Sequence, residues 1–253
     1  MTRTHKISPQ KAAEETLARL RRKANKTQAA SYQRFFKEPV ALFGINTEGA
    51  RTIQRDLLSR VGGTWTIDDA VRFCDAMLRD PRLESRGIAY QIVAHFVSEA
   101  PPELLADVRR WLEHSCGNWA LVDNLAPSVL APLLERYPAL IPEVVSWTDS
   151  PNLWVRRGAA VAFVPMVKKK KHLPTAYKIA TRLLGDKEDL MHKAVGWMLR
   201  EAGKSDTKRL ESFLVKNGPR MPRTTVRYAI ERFPKEKRRR LLEVTRGTHK
   251  PEK

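Results

Sequence analysis

Apolar residues in this chain recur at helical spacing, and proline-bearing breaks interrupt them every few turns. Val71, Phe73, Cys74, Met77 and Leu78 fall on one helical face. So do Leu104, Leu105, Val108, Trp111 and Leu112, and then Leu125, Val129, Leu130, Leu133 and Leu134. Almost nothing alternates with the period of a strand. The breaks are short: Asp80-Pro81, Pro101-Pro102, Tyr137-Pro138, Ser150-Pro151, Gly185-Asp186 and Gly218-Pro219. Proline at such places starts a helix or stops the previous one. The pattern predicts an all-α chain of about a dozen helices joined by tight turns.

Part of this pattern repeats. Asp80 leads to Arg86-Gly87, Asp149 to Arg156-Arg157-Gly158, and Asp186 to Lys193 and Gly196. Each copy opens with an acid, enters a helix with a basic residue, and then has a small residue suited to close helix packing. Arg86 to Arg157 is 71 residues and Arg157 to Lys193 is 36, about two periods and then one. Helix pairs at that interval resemble a HEAT-like α-solenoid, which presents a concave face. An irregular helical bundle is the plainer alternative. The missing copy falls near residue 122, where Trp119 and Asp123 stand and no basic residue does.

Charge narrows the partner. The 253 residues carry 47 Lys and Arg against 28 Asp and Glu, a formal +19. Residues 1–37 hold ten basic and two acidic groups, 38–150 ten and sixteen, 151–203 eleven and four, and 204–253 sixteen and six. A chain basic at both ends favours a polyanion, and nucleic acid is the commonest. The bland alternative is a solubilising excess with a loose tail. Lys168, Lys169, Lys170 and Lys171 form a basic loop suited to a phosphate backbone. Residues 1–26 read as a basic, loosely attached helical segment, 27–245 as the repeat domain and 246–253 as a basic tail. No apolar stretch is long enough to span a bilayer and no secretory signal is evident. Two cysteines make no disulfide framework. The expected compartment is the cytoplasm.

Trp119 and Asp123 lie one helical turn apart, as do Trp197 and Arg200. If equivalent positions of successive repeats line one wall, these residues join Arg156, Arg157 and Lys193 there. Aromatic faces beside cations suit bases and sugars. A carboxylate on a wall built for phosphate repels the ligand, unless positive charge belongs to the substrate or develops in it. Taken singly, each residue has a duller reading: tryptophan as core, Asp123 as a helix-surface or capping group, and the arginines as solvated or paired. His95, His114 and His192 have no metal-ligand spacing, and no phosphate loop or activated nucleophile is present. No metal or cofactor is expected.

At these residues the sequence resembles the AlkD-type DNA glycosylases, the HEAT-like-repeat family of bacterial DNA alkylation repair enzymes. The resemblance runs from about Leu42 to about Phe233. It is densest at Lys193-Ala-Val-Gly-Trp197-Met-Leu-Arg200-Glu201, with Asn152-Leu-Trp-Val-Arg-Arg157 and Asn118-Trp119-Ala-Leu-Val-Asp123 before it. It implies excision of N3- and N7-alkylated purines from duplex DNA, without a deep base-flipping pocket. It assigns Asp123 as the catalytic carboxylate, Trp119 and Trp197 as the residues flanking the lesion's deoxyribose, and Arg157 and Arg200 as backbone contacts. Apart from the resemblance, a monomer is expected. Asn118 and Ala120 depart from the family pattern. The other readings are a non-catalytic binder of branched or distorted DNA, an RNA binder, and a scaffold that holds a peptide in its groove.

Overall fold

A computed structural model describes residues 7–246, and every regular element among them is helical. Of the basic tail expected at 246–253, residues 247–253 lie outside the described residues, as do residues 1–6 of the N-terminal segment. The helices fall into two units, Met1–Arg136 and Tyr137–Lys253. That division lies inside the stretch read as one domain. The first unit contains α1 (Pro9–Lys23), α2 (Lys26–Gln33), α3 (Thr47–Val61), α4 (Ile67–Leu78), α5 (Leu83–Phe96), α6 (Leu104–His114), α7 (Trp119–Leu125) and α8 (Ala131–Arg136). The second contains α9 (Ile141–Ser146), α10 (Leu153–Val161), α11 (Phe163–Lys168), α12 (Leu173–Arg182), α13 (Asp189–Ser205), α14 (Thr207–Asn217), α15 (Arg223–Ala229) and α16 (Lys235–Val244). Among the described residues no helix is long and apolar enough to cross a membrane.

Side-chain caps open several helices, and of these only Asn152 lies beside a break read from the sequence. The side chains of Asn25, Asn46, Asn118, Asn152 and Asp206 each accept a backbone N–H of the turn that follows. Each thereby satisfies a donor that the helix start leaves open.

Helix α1 is not loosely attached. Ala12, Ala13, Thr16 and Leu20 are buried, and the helix packs on α4 and α3. Arg60 pairs with Glu15 at 2.8 Å, Arg19 pairs with Asp56, and Trp65 Nε1 donates to the Ile7 carbonyl at 2.9 Å. The small, regularly spaced face was masked in the sequence by the arginines around it. The segment between α2 and α3 is fastened by Glu84. This buried carboxylate accepts the backbone N–H groups of Phe43, Gly44 and Ile45 at 2.9, 2.8 and 3.1 Å. Gly44 has φ +76°, and a Cβ there would lie 2.1 Å from the Asn25 carbonyl oxygen.

In the second unit α13 is central, packed by α10, α11, α12, α14 and α15. The close approach expected at Gly196 is real: a Cβ would stand 2.4 Å from Tyr228 Cβ and 2.9 Å from the Thr225 carbonyl oxygen. At Gly87 the nearest neighbour would be Asn124 Nδ2 at 3.4 Å, an easy contact.

Hydrogen bonds correct the register of the repeat by one residue. Arg86 Nε donates to the carbonyl of Asp80 at 3.1 Å, Arg156 Nη1 to that of Ser150 at 2.8 Å, and His192 Nε2 to that of Asp186 at 2.6 Å. Each donor reaches back six residues, so Arg86, Arg156 and His192 share the slot, and Arg157 and Lys193 are each one place beyond it. Arg86 Nη1 also donates to the Ser115 carbonyl at 2.6 Å, as Arg156 Nε does to Asp186 Oδ2 at 2.7 Å. Ser115 therefore opens the copy that seemed missing. Six residues on, its slot falls on the buried Leu121, between Trp119 and Asp123.

Candidate active site

Helix α7 sets out the first half of the expected constellation. Asn118 caps it, its Oδ1 accepting the Leu121 N–H at 3.1 Å, which accounts for this departure from the family pattern. Leu121, Val122 and Leu125 are buried, while Trp119, Ala120, Asp123 and Asn124 are half-buried. At about 100° per residue, Asp123 projects between Trp119 and Ala120. Pro127 follows four residues after Asp123 and has no N–H to offer its carbonyl. The chain answers with a π-helical turn, Ala126–Leu130, before α8 resumes. Such turns collect at functional sites.

Trp119 has a partner that the sequence reading missed. Phe36 stacks on it, with ring centroids 5.4 Å apart and planes inclined by 26°. The available signal was the aromatic set Tyr32, Phe35 and Phe36 amid Arg34 and Lys37. Phe35 is 61% exposed. Tyr32, Phe35 and Phe36 line an open cleft of about 530 Å³ together with Gly87, Gln91, Trp119, Ala120 and Asn124; Asp123 is not among its lining residues. Gln91 Nε2 donates to Asn124 Oδ1 at 2.6 Å, fixing both amides at the cleft wall.

In the second unit, Lys193, Trp197 and Arg200 occupy one face of α13, each half-buried. Lys193 pairs with Asp189 at 2.7 Å, and that hydrogen bond, the largest influence, raises the ammonium pKa. Arg200 pairs with Glu231 and lies 3.6 Å from Glu201 Oε1. The arginines of α10 do not offer open guanidinium groups. Arg157 is 4% exposed and donates to the Leu190 carbonyl. Arg156 is spent on Asp186 and the carbonyls of Ser150 and Pro151. Both were expected to face DNA; their position just inside the helix start turns them towards the next repeat.

Lys168, Lys169, Lys170 and Lys171 are exposed at the end of α11. Lys170 N donates to the Val167 carbonyl and Lys171 N to that of Met166, both at 3.0 Å, with Lys170 at φ +60°. This is a Schellman ending with lysine in the left-handed place where glycine is usual. The strain is borne by a residue that displays a charge. The formal charge of the second unit, 27 basic against 12 acidic residues, far exceeds that of the first, 20 against 16. Among the described residues no group of three or more His, Cys, Asp and Glu is placed to hold a metal ion.

A search of solved structures finds a chain described as "Predicted DNA alkylation repair enzyme from Enterococcus faecalis". It is 18% identical, with a TM-score of 0.75, over 84% of this chain and 98% of that one. At that identity the likeness establishes the helical-repeat fold. Comparison with curated protein sequences gave no match. The family model described as DNA alkylation repair enzyme matches residues 16–233, spanning the helices from within α1 to the end of α15 and including every site residue discussed above. The chain belongs to the DNA alkylation repair enzyme family.

Proposed function

We propose that the protein is a DNA glycosylase that hydrolyses the N-glycosidic bond of N3- and N7-alkylated purines in duplex DNA. The observation that carries this reading is the pairing on α7 of a stacked tryptophan, Trp119, with a half-buried carboxylate one turn later, Asp123. An N3- or N7-alkylated purine is cationic, so its bond to the sugar is weak and the neutral base leaves readily. Positive charge then spreads over the deoxyribose. Asp123 stabilises that oxocarbenium ion and orients the water that completes hydrolysis. An indole face, whether of Trp119 or of Trp197, favours a cationic sugar. The leaving base needs no proton, so no general acid is required.

In this reading Arg200, Lys193 and the Lys168–Lys171 turn hold phosphates, and Arg157 and Arg156 hold the repeats together. The protein acts as a monomer in the cytoplasm, beside the chromosome. The test is base release from a duplex bearing one 7-methylguanine, read as strand cleavage after alkali, with Asp123→Asn in parallel. Cleavage by the native protein alone supports the assignment, and equal rates from the variant would sink it. Tight duplex binding without cleavage of 7-methylguanine, 3-methyladenine or a bulky adduct would leave a binder of distorted DNA.

A further inference from the structure

The second unit carries a basic groove outside the candidate site. It is an open groove of about 490 Å³ between α12 and α14, lined by Tyr177, Lys178 and Thr181 on one side and by Arg209, Phe213 and Lys216 on the other, with Arg220 at its end. None of the residues assigned to alkylated DNA lines it. Four cations and no carboxylate line it; the nearby acid Asp206, which acts on Tyr177, caps α14 and accepts the Arg209 backbone N–H.

These cations differ in one respect from two arginines and a lysine of α10 and α13. Arg156, Lys193 and Arg200 each meet an acid within the protein. Among the described residues, Lys178, Arg209, Lys216 and Arg220 make no ion pair; Arg220 reaches only Asn217 Oδ1, at 3.3 Å, and Arg209 lies over the Tyr177 ring at 4.8 Å. The one acid within α14, Glu211, is held by Lys237 and Arg240 of α16. Unneutralised like charges repel, so gathering four of them in one groove costs stability unless an anion joins them.

A second observation points the same way. Tyr177 is 6% exposed, and its hydroxyl is buried with no hydrogen-bond partner. Burial, the largest influence, pushes its pKa up to about 12, so at neutral pH it keeps its proton and remains a donor without an acceptor. The ring is wedged against Phe213, with centroids 5.1 Å apart.

We propose that the groove between α12 and α14 is a second anion site, separate from the lesion face, that binds phosphate oxygens through Arg209, Lys216, Lys178 and Arg220. A phosphate oxygen supplies the acceptor that Tyr177 lacks. This inference does not rest on the glycosylase reading: its probe carries no base, and its readout is not excision.

The probe is sodium tripolyphosphate, titrated calorimetrically at low ionic strength into the full chain. The native protein is expected to bind it, and Arg209→Gln with Lys216→Gln to bind it at least tenfold more weakly. Removing the same charge from α16, by Lys235→Gln with Arg238→Gln, should leave the affinity within twofold. Tyr177→Phe should weaken binding severalfold without lowering the melting temperature of the free protein, because its hydroxyl has no partner to lose. No binding by the native protein, or equal losses in the two double variants, would overturn the proposal. Salt titration of duplex DNA binding then separates the sources of phosphate. A slope reduced by about two in Arg209→Gln with Lys216→Gln assigns the groove to a DNA strand, and an unchanged slope to a small phosphate-bearing anion.

Discussion

Phe36 lies against Trp119 at 5.4 Å between centroids, so the segment after α2 and the start of α7 form one aromatic platform. Such a pair contributes about 0.5–1.5 kcal/mol beyond its buried area. Phe36→Ala should lower stability by about that amount in chemical denaturation. It should also shift tryptophan emission to longer wavelength as Trp119 gains solvent. If Trp119 is set against the lesion by this stack, excision should slow more than stability falls.

Two of the three glycines flagged by the repeat, Gly196 and Gly87, should behave oppositely. Gly196→Ala drives a methyl into Tyr228 and the Thr225 carbonyl, and overpacking of that kind costs about 1–3 kcal/mol. Gly87→Ala meets nothing closer than 3.4 Å and should gain up to about 1 kcal/mol of helix propensity. Urea midpoints of the two variants would check both signs.

Glu84 is a carboxylate in a cleft wall with a structural task. Glu84→Ala leaves three backbone N–H groups without their acceptor, at about 1–3 kcal/mol for each that stays buried. Hydrogen exchange at Phe43, Gly44 and Ile45 should accelerate before the rest of the first unit is affected.

Lys170 offers a trade between stability and affinity. Lys170→Gly relieves a left-handed lysine and should raise stability by about 1 kcal/mol. If the turn meets a phosphate, the same change should lower the salt slope of duplex binding by about 0.9. A gain in stability with an unchanged slope would place the turn off the DNA.

Both cysteines should resist thiol reagents until the chain unfolds. Cys74 and Cys116 are buried, and burial, the main cause in each, raises the pKa, that of Cys116 to about 12. A raised pKa keeps the thiol protonated below that pH, and the thiolate is the reactive form. At pH 8 a disulfide reagent should find no thiol in the native protein and two in denaturant.

The sequence by itself determined the helices, their proline-marked breaks and a repeat interval of about 36 residues, because these are written in the order of neighbouring residues along the chain. It also placed Trp119 and Asp123 on one helical face, since positions 119 and 123 share a side wherever the helix lies. Tertiary structure decided what the charged residues do. His192 looks unlike Arg86 and Arg156 in sequence, yet all three donate to a carbonyl six residues back, which moved the repeat register off Arg157. Whether an arginine is spent or open turns on partners about 30 residues away, as with Arg156 and Asp186 or Arg200 and Glu231. Phe36 beneath Trp119 and the unpaired cations between α12 and α14 have the same origin. Periodicity along a chain fixes which way a side chain leaves its helix, and only packing fixes what it meets.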